Sequence, residues 1–145
     1  VLHSQRHTLP PGNMPVLVTM NNLALLLIST RKYKDAQYLL EKLVSMTSST
    51  LGEEHPDVAA VLGNLAITLR MQYNYSNALS VHERAITILE VSCGIDHVDT
   101  VYQRTQQGVT FILMGATYKG KQLVEEGITR FVDIENMWEF HPWIM

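Results

Sequence analysis

A single cysteine, Cys93, is all the thiol the sequence holds, so no disulfide forms within the chain, and such sparing use suits a reducing compartment. Long apolar runs are missing too. The longest, Leu23 to Ile28, is far short of the roughly 20 residues a membrane-spanning helix requires. Charge is scarce and nearly balanced, with 11 Lys and Arg against 14 Asp and Glu, a net −3 with histidine neutral. Apart from Arg31, Lys32 and Lys34 the basic residues are scattered, so the field that holds proteins on phosphate backbones is lacking and nucleic acid is not an expected partner. No secretory pattern opens the chain, which starts at Val1 and reads as an internal fragment of a cytoplasmic protein. What is present is 145 residues, 46% of them hydrophobic, enough for one domain that buries roughly two thirds of its unfolded surface without metal or disulfide.

Internal repetition organises this material. A shift of 42 residues lays Asn22-Leu23-Ala24 on Asn64-Leu65-Ala66, Tyr33 on Tyr75, Ala36 on Ala78, Gly52 on Gly94 and His55 on His97. A period of this length marks a stacked array of small units. A second shift reaches Gly108, Gly120 and Gly127, so three small positions stay small where helices must approach closely, although Leu62 and Leu65 become Arg104 and Gln107. Within the unit, Met20, Leu23, Ala24 and Leu27 recur at the spacing of a helix buried along one stripe, called helix A here. A second stripe, Ala36, Leu39, Leu40 and Leu43, is helix B. Between units, Gly52 is placed to end a helix in a left-handed conformation, Pro56 suits the first turn of the next, and Asp57 lies at the positive end of its dipole. Val16-Leu17-Val18 favours a strand locally, but its period mate Val58-Ala59-Ala60 does not, so it is read as a helix start.

The large and small alternation of helix A, the Tyr33/Ala36 and Tyr75/Ala78 pairs and the closing Leu43 or Ala85 resemble tetratricopeptide repeats. Asn21-Asn22-Leu23-Ala24, Leu51 to Val58 and the spacing of 42 are similar to the kinesin-light-chain-like subclass. The resemblance implies an all-α fold, an α-solenoid (right-handed superhelix) of about three helical hairpins. On this reading residues 1–13 are the tail of a preceding repeat or a linker, 14–55, 56–97 and 98–132 are the units, and 133–145 are a capping helix or the start of a further repeat. Ile134, Met137, Trp138 and His141 are the expected cap, with Trp138 over the last repeat face.

Enzymatic chemistry finds no support in the residue pattern. Six histidines invite a search for metal or proton-transfer sites, yet HExxH and C-x-x-C spacings are absent, and His55 and His97 fall in equivalent loops, where each is expected to organise its turn by a local hydrogen bond. His82 falls on the packing face of helix B and is read as a core residue. Cys93 has no basic neighbour in sequence nearer than His97 and is expected to be inert. Gly120-Lys121-Gln122 lacks the rest of a phosphate loop, so no cofactor and no metal are expected.

A binding role has better support. In the family it resembles, the A helices line a concave peptide groove. The positions that would face it are Val18, Asn21, Asn22 and Leu25 in the first unit, Asn64, Ile67 and Arg70 in the second, and Tyr102, Thr105, Gln106 and Val109 in the third. Asn22, Asn64 and Gln106 share one repeat position, and a carboxamide both donates and accepts, so the column could hold the backbone of an extended peptide while apolar neighbours take its side chains. Alternatively these carboxamides join adjacent helices. The resemblance implies a scaffold or adaptor for an apolar or acidic-aromatic motif of a partner protein, with Arg70 as the only counter-charge. The alternative is a structural spacer with no ligand of its own, its groove empty or occupied by the segment holding Trp138 and Trp143.

Overall fold

The computed structural model describes residues 14–140, and the side chains of residues 15–133 within them. Residues 1–13, His141 and Trp143 lie outside the described residues, as do the side chains of Ile134, Met137 and Trp138. Six helices follow one another: α1 (Met14–Ser29), α2 (Tyr33–Leu51), α3 (Pro56–Met71), α4 (Tyr75–Ser92), α5 (Val98–Leu113) and α6 (Thr117–Phe140), with no strand among the described residues. Each helix packs on its chain neighbours, and α1, α3 and α5 also touch in succession, so three hairpins form an all-α solenoid with the odd helices as one wall. The β-favouring Val16-Leu17-Val18 lies inside α1, where its apolar stripe outweighs local propensity.

The restarts follow the loop chemistry. His55 and His97 are the N-caps of α3 and α5, and each accepts at Nδ1 the backbone N–H two residues on, from Asp57 at 3.0 Å and Asp99 at 3.2 Å. That geometry requires neutral imidazole with its proton on Nε2. Pro56 occupies the first turn of α3, and Asp57 and Asp99 stand beside the dipole ends. Gly52 closes α2 at φ 101° and ψ 152°, an extended positive-φ conformation open essentially to glycine, rather than the left-handed helical one expected. Within hairpins, Arg31 and Tyr73 have φ of 64° and 65°, and their period mate Gly115 has φ 96°, so the first two turns force side chains into a region that the third gives to glycine.

Two aliphatic clusters hold the first two hairpins. One joins Leu17, Ala24, Leu40 and Leu43 to Val61, Leu65, Leu69 and Ala78, and the other packs Val58, Ala59 and Leu62 against Ala85, Ile88 and Leu89. Burial of each large aliphatic side chain contributes about 1.5–3 kcal/mol. The third hairpin differs. At its seam a Cβ on Gly108 would lie 2.9 Å from the Gly120 carbonyl oxygen, so α5 and α6 approach more closely than side chains permit. Its period mates are alanine pairs, Ala24 with Ala36 and Ala66 with Ala78, all fully buried.

The C-terminal segment, expected as a cap or the start of a further repeat, is continuous with α6 as far as Phe140. Residues 133–140 prolong α6 without a break, as no glycine or proline stands between Gly127 and Phe140 to stop the helix.

Candidate functional site

On the odd-helix wall, one repeat position stays open in all three hairpins: Val18 is 53% exposed, Tyr102 is 44% exposed, and Ala60 between them is exposed as well. Leu25 is 43% exposed, and its mates Ile67 and Val109 are half-buried. Asn22 is exposed, whereas Asn21, Asn64, Thr105 and Gln106 are half-buried.

Partners within the fold explain that difference. Asn64 Nδ2 donates to Asn21 Oδ1 at 3.2 Å, joining α3 to α1, and Arg70 Nη1 donates to the Gln106 side-chain oxygen at 2.9 Å and to its carbonyl at 3.3 Å, joining α3 to α5. Burial lowers the pKa of the Arg70 guanidinium, with Tyr102 and Tyr75 acting in the opposite sense, but a guanidinium stays charged throughout the accessible range. Nη1 is thus engaged with neutral acceptors of α5, while Nε is buried without a hydrogen-bond partner among the described residues. Thr105 donates to the Val101 carbonyl at 2.8 Å and sits against Gly127 of α6, where any Cβ on the glycine would collide with it, so it fills the third hairpin. The sequence-derived positions thus fall into an outward set, Val18, Asn22, Leu25 and Tyr102, a half-buried apolar pair, Ile67 and Val109, and a set with partners inside the fold, Asn21, Asn64, Arg70, Thr105 and Gln106.

Behind the wall lies a buried polar wedge. His82 of α4 is fully buried, and neither ring nitrogen has a hydrogen-bond partner among the described residues. Desolvation pushes its pKa down to about 4, the nearby Gln103 amide opposes this and Arg70 adds to it, so the ring is neutral at pH 7. Gln103 of α5 lies over Gly63 of α3, filling space that a Cβ would take. Among the described residues no three His, Cys, Asp or Glu side chains gather as metal ligands.

Sequence reasoning passed over one feature of the wall, a pocket of about 230 Å³ between α1, α2 and α3 lined by Leu17, Val18, Asn21, Leu43, Thr47, Leu51, Asp57, Ala60 and Val61. A signal for it existed. Thr47 has Leu89 and Phe131 as period mates, so the first hairpin carries a small residue where the others carry large ones.

With the paired helices and their register in view, the comparisons with known proteins are decisive on family. The tetratricopeptide repeat model matches residues 15–91. The chain belongs to the tetratricopeptide repeat family. The fold of this tetratricopeptide repeat chain is similar to a solved structure described as a kinesin light chain of nearly identical TPR-like repeats from Podosopora anserina, at TM-score 0.72 and 20% identity over 90% of this chain and 62% of that one. A single-substitution variant of the same protein gives TM-score 0.75 and 20% identity over 91% and 62%. BtubC (BKLC) from P. vanneervenii is similar at TM-score 0.75 and 21% identity, over 86% of this chain and 50% of that one. The chain thus spans half to about three fifths of the length of these relatives. A search of curated protein sequences gives no match. The family supports a protein-interaction scaffold in general terms, and no helix among the described residues is long and apolar enough to cross a membrane.

Proposed function

We propose that the chain is a non-enzymatic, cytoplasmic scaffold segment that holds an extended peptide of a partner protein along α1, α3 and α5. The observation that carries this reading is the column of Val18, Ala60 and Tyr102, which remains exposed on three successive helices although two of its members are large and apolar. A stacked array repeats such a column at fixed intervals, which suits an extended chain whose side chains alternate between pockets and solvent. Leu25 and Asn22 extend the exposed strip by one turn, and the exposed Asn22 carboxamide can donate to and accept from a peptide backbone.

Selection of an unbiased displayed peptide library on the chain, followed by calorimetric titration of the selected peptides, tests this. Binding should weaken at least about tenfold in Val18→Asp and in Tyr102→Ala, with circular dichroism unchanged. Selected peptides that bind these variants as well as the parent would place the surface elsewhere.

The spacer reading draws on a different observation. Asn64 with Asn21, and Arg70 with Gln106, tie successive odd helices together and need no ligand to satisfy them. A library that yields no specific binder would favour it.

A further inference from the structure

We propose that α5 and α6 open as one unit from the first two hairpins, pivoting at the loop between α4 and α5, because the junction that holds them is polar where its counterpart is aliphatic. The inference is independent of the groove reading.

The repeat makes the two junctions comparable position by position. At the first, α3 buries Val58, Val61, Leu62 and Leu65 in clusters that include Leu40, Leu43 and Val44 of α2. One period later the same positions of α5 are Thr100, Gln103, Arg104 and Gln107. Both aliphatic clusters draw their buried members from α1 to α4, and the large apolar side chain that α5 buries is Val101.

At the centre of the junction three neighbouring positions change together. Ile28, Leu40 and Val61 pack in the first cluster, and their period mates are Arg70, His82 and Gln103. Gln103 and Arg70 lie near the His82 ring. Arg70 Nε, both His82 ring nitrogens and Gln103 Oε1 are buried without a hydrogen-bond partner among the described residues. An aliphatic side chain gains by leaving water, whereas a polar atom buried without a partner forfeits its hydration and recovers it when the junction parts. Opening is therefore easier here than at the first junction.

The polar contacts across the junction do not make up the difference. Arg104 of α5 pairs with Glu90 of α4, but both side chains are partly exposed, and such a pair contributes little. Arg70 of α3 reaches Gln106 of α5 through Nη1. Inside the third hairpin the contacts are close instead: Gly108 faces Gly120, Thr105 sits against Gly127, and Lys119 Nζ lies 4.6 Å from the centre of the Phe111 ring. Asp96 pairs with Arg130 of α6, which ties the end of the loop to the third hairpin. The weak plane thus runs between α4 and α5, and the two helices beyond it part together. Ala60 of α3 and Tyr102 of α5 lie on opposite sides of that plane, so opening changes the spacing of the exposed column.

Amide hydrogen exchange of the whole chain under native conditions, read residue by residue by NMR, tests this. The amides of α5, and those of α6 as far as Gly127, should share one opening equilibrium and exchange at least about a hundredfold faster than the slowest amides of α3 and α4. Leu43→Val, which weakens the first cluster, should speed those slowest amides at least about threefold and leave α5 and α6 unchanged, since that cluster stays intact when the third hairpin opens. His82→Leu combined with Gln103→Leu, which makes the centre of the junction aliphatic at similar volume, should slow exchange in α5 and α6 at least about tenfold. Uniform protection across the six helices, or Leu43→Val speeding α5 and α6 as much as α3, would overturn the proposal. So would a folded double variant whose α5 and α6 exchange as fast as the parent's. Should the double variant not fold, the parent pattern and Leu43→Val decide.

Discussion

In the second hairpin the seam is Ala66 against Ala78, flanked by Leu62, Leu65 and Leu69; one period later, in the third, it is Gly108 against Gly120, flanked by Arg104, Gln107 and Phe111. The backbone course is the same, yet one hairpin is held by aliphatic burial and the other by close helix approach with polar side chains around it. The difference separates what the array demands from what it tolerates. Small residues are demanded wherever two helices meet. Large positions are free to turn polar if a neighbouring unit supplies a partner, as Glu90 of α4 does for Arg104, whose period mate Leu62 is buried in an aliphatic cluster. The loop residue Asp96 similarly pairs with Arg130 of α6.

Opposite sensitivities should follow. Removing bulk should hurt the first two hairpins most: Leu62→Ala should lower stability by about 2–5 kcal/mol in denaturant unfolding, whereas its period mate Arg104→Ala should cost no more than about 1 kcal/mol. Equal losses would erase the distinction. The boundary between the two regions should be sensitive to acid. His82 has a folded pKa of about 4 against an ordinary 6.5, so below pH 6.5 the unfolded chain takes up a proton that the folded chain refuses until about pH 4. Stability should fall by roughly 3 kcal/mol across that window, and His82→Phe should remove this dependence. Adding bulk should hurt the third hairpin. Gly120→Ala would bring its methyl within 2.8 Å of the Ile112 backbone nitrogen and should destabilise by about 1–3 kcal/mol despite alanine's better helix propensity. The smallest effect has the reverse sign: Arg31→Gly should relieve the positive φ at the first hairpin turn and stabilise by about 1 kcal/mol, where glycine already stands at the third. A thermal melt with no gain would mean that the turn carries no strain.

Much of the fold was legible because it repeats. The 42-residue register, the two stripes per unit, Pro56 at a helix start and the capping role of His55 and His97 are properties of local sequence, and the helices follow them. The candidate site was less legible. Asn21 with Asn64 and Arg70 with Gln106 are pairings between units, and which carboxamide meets which neighbour depends on the offset between stacked hairpins, to which periodicity is blind. Thr105 falls among the groove positions by repeat spacing, whereas its contact with Gly127 turns it toward α6. Departures from the repeat are informative too, since Thr47 in place of a large residue marks where a pocket opens beside the exposed Val18.

Peptide engagement by the odd helices is most directly read by methyl NMR mapping of a library-selected peptide on the isotope-labelled chain. The account predicts saturable shifts confined to Val18, Leu25, Ile67 and Val109, with the outward side chains of the even helices, such as Val91 of α4, unmoved. Shifts concentrated on α2 and α4 with the odd-helix strip silent would contradict it.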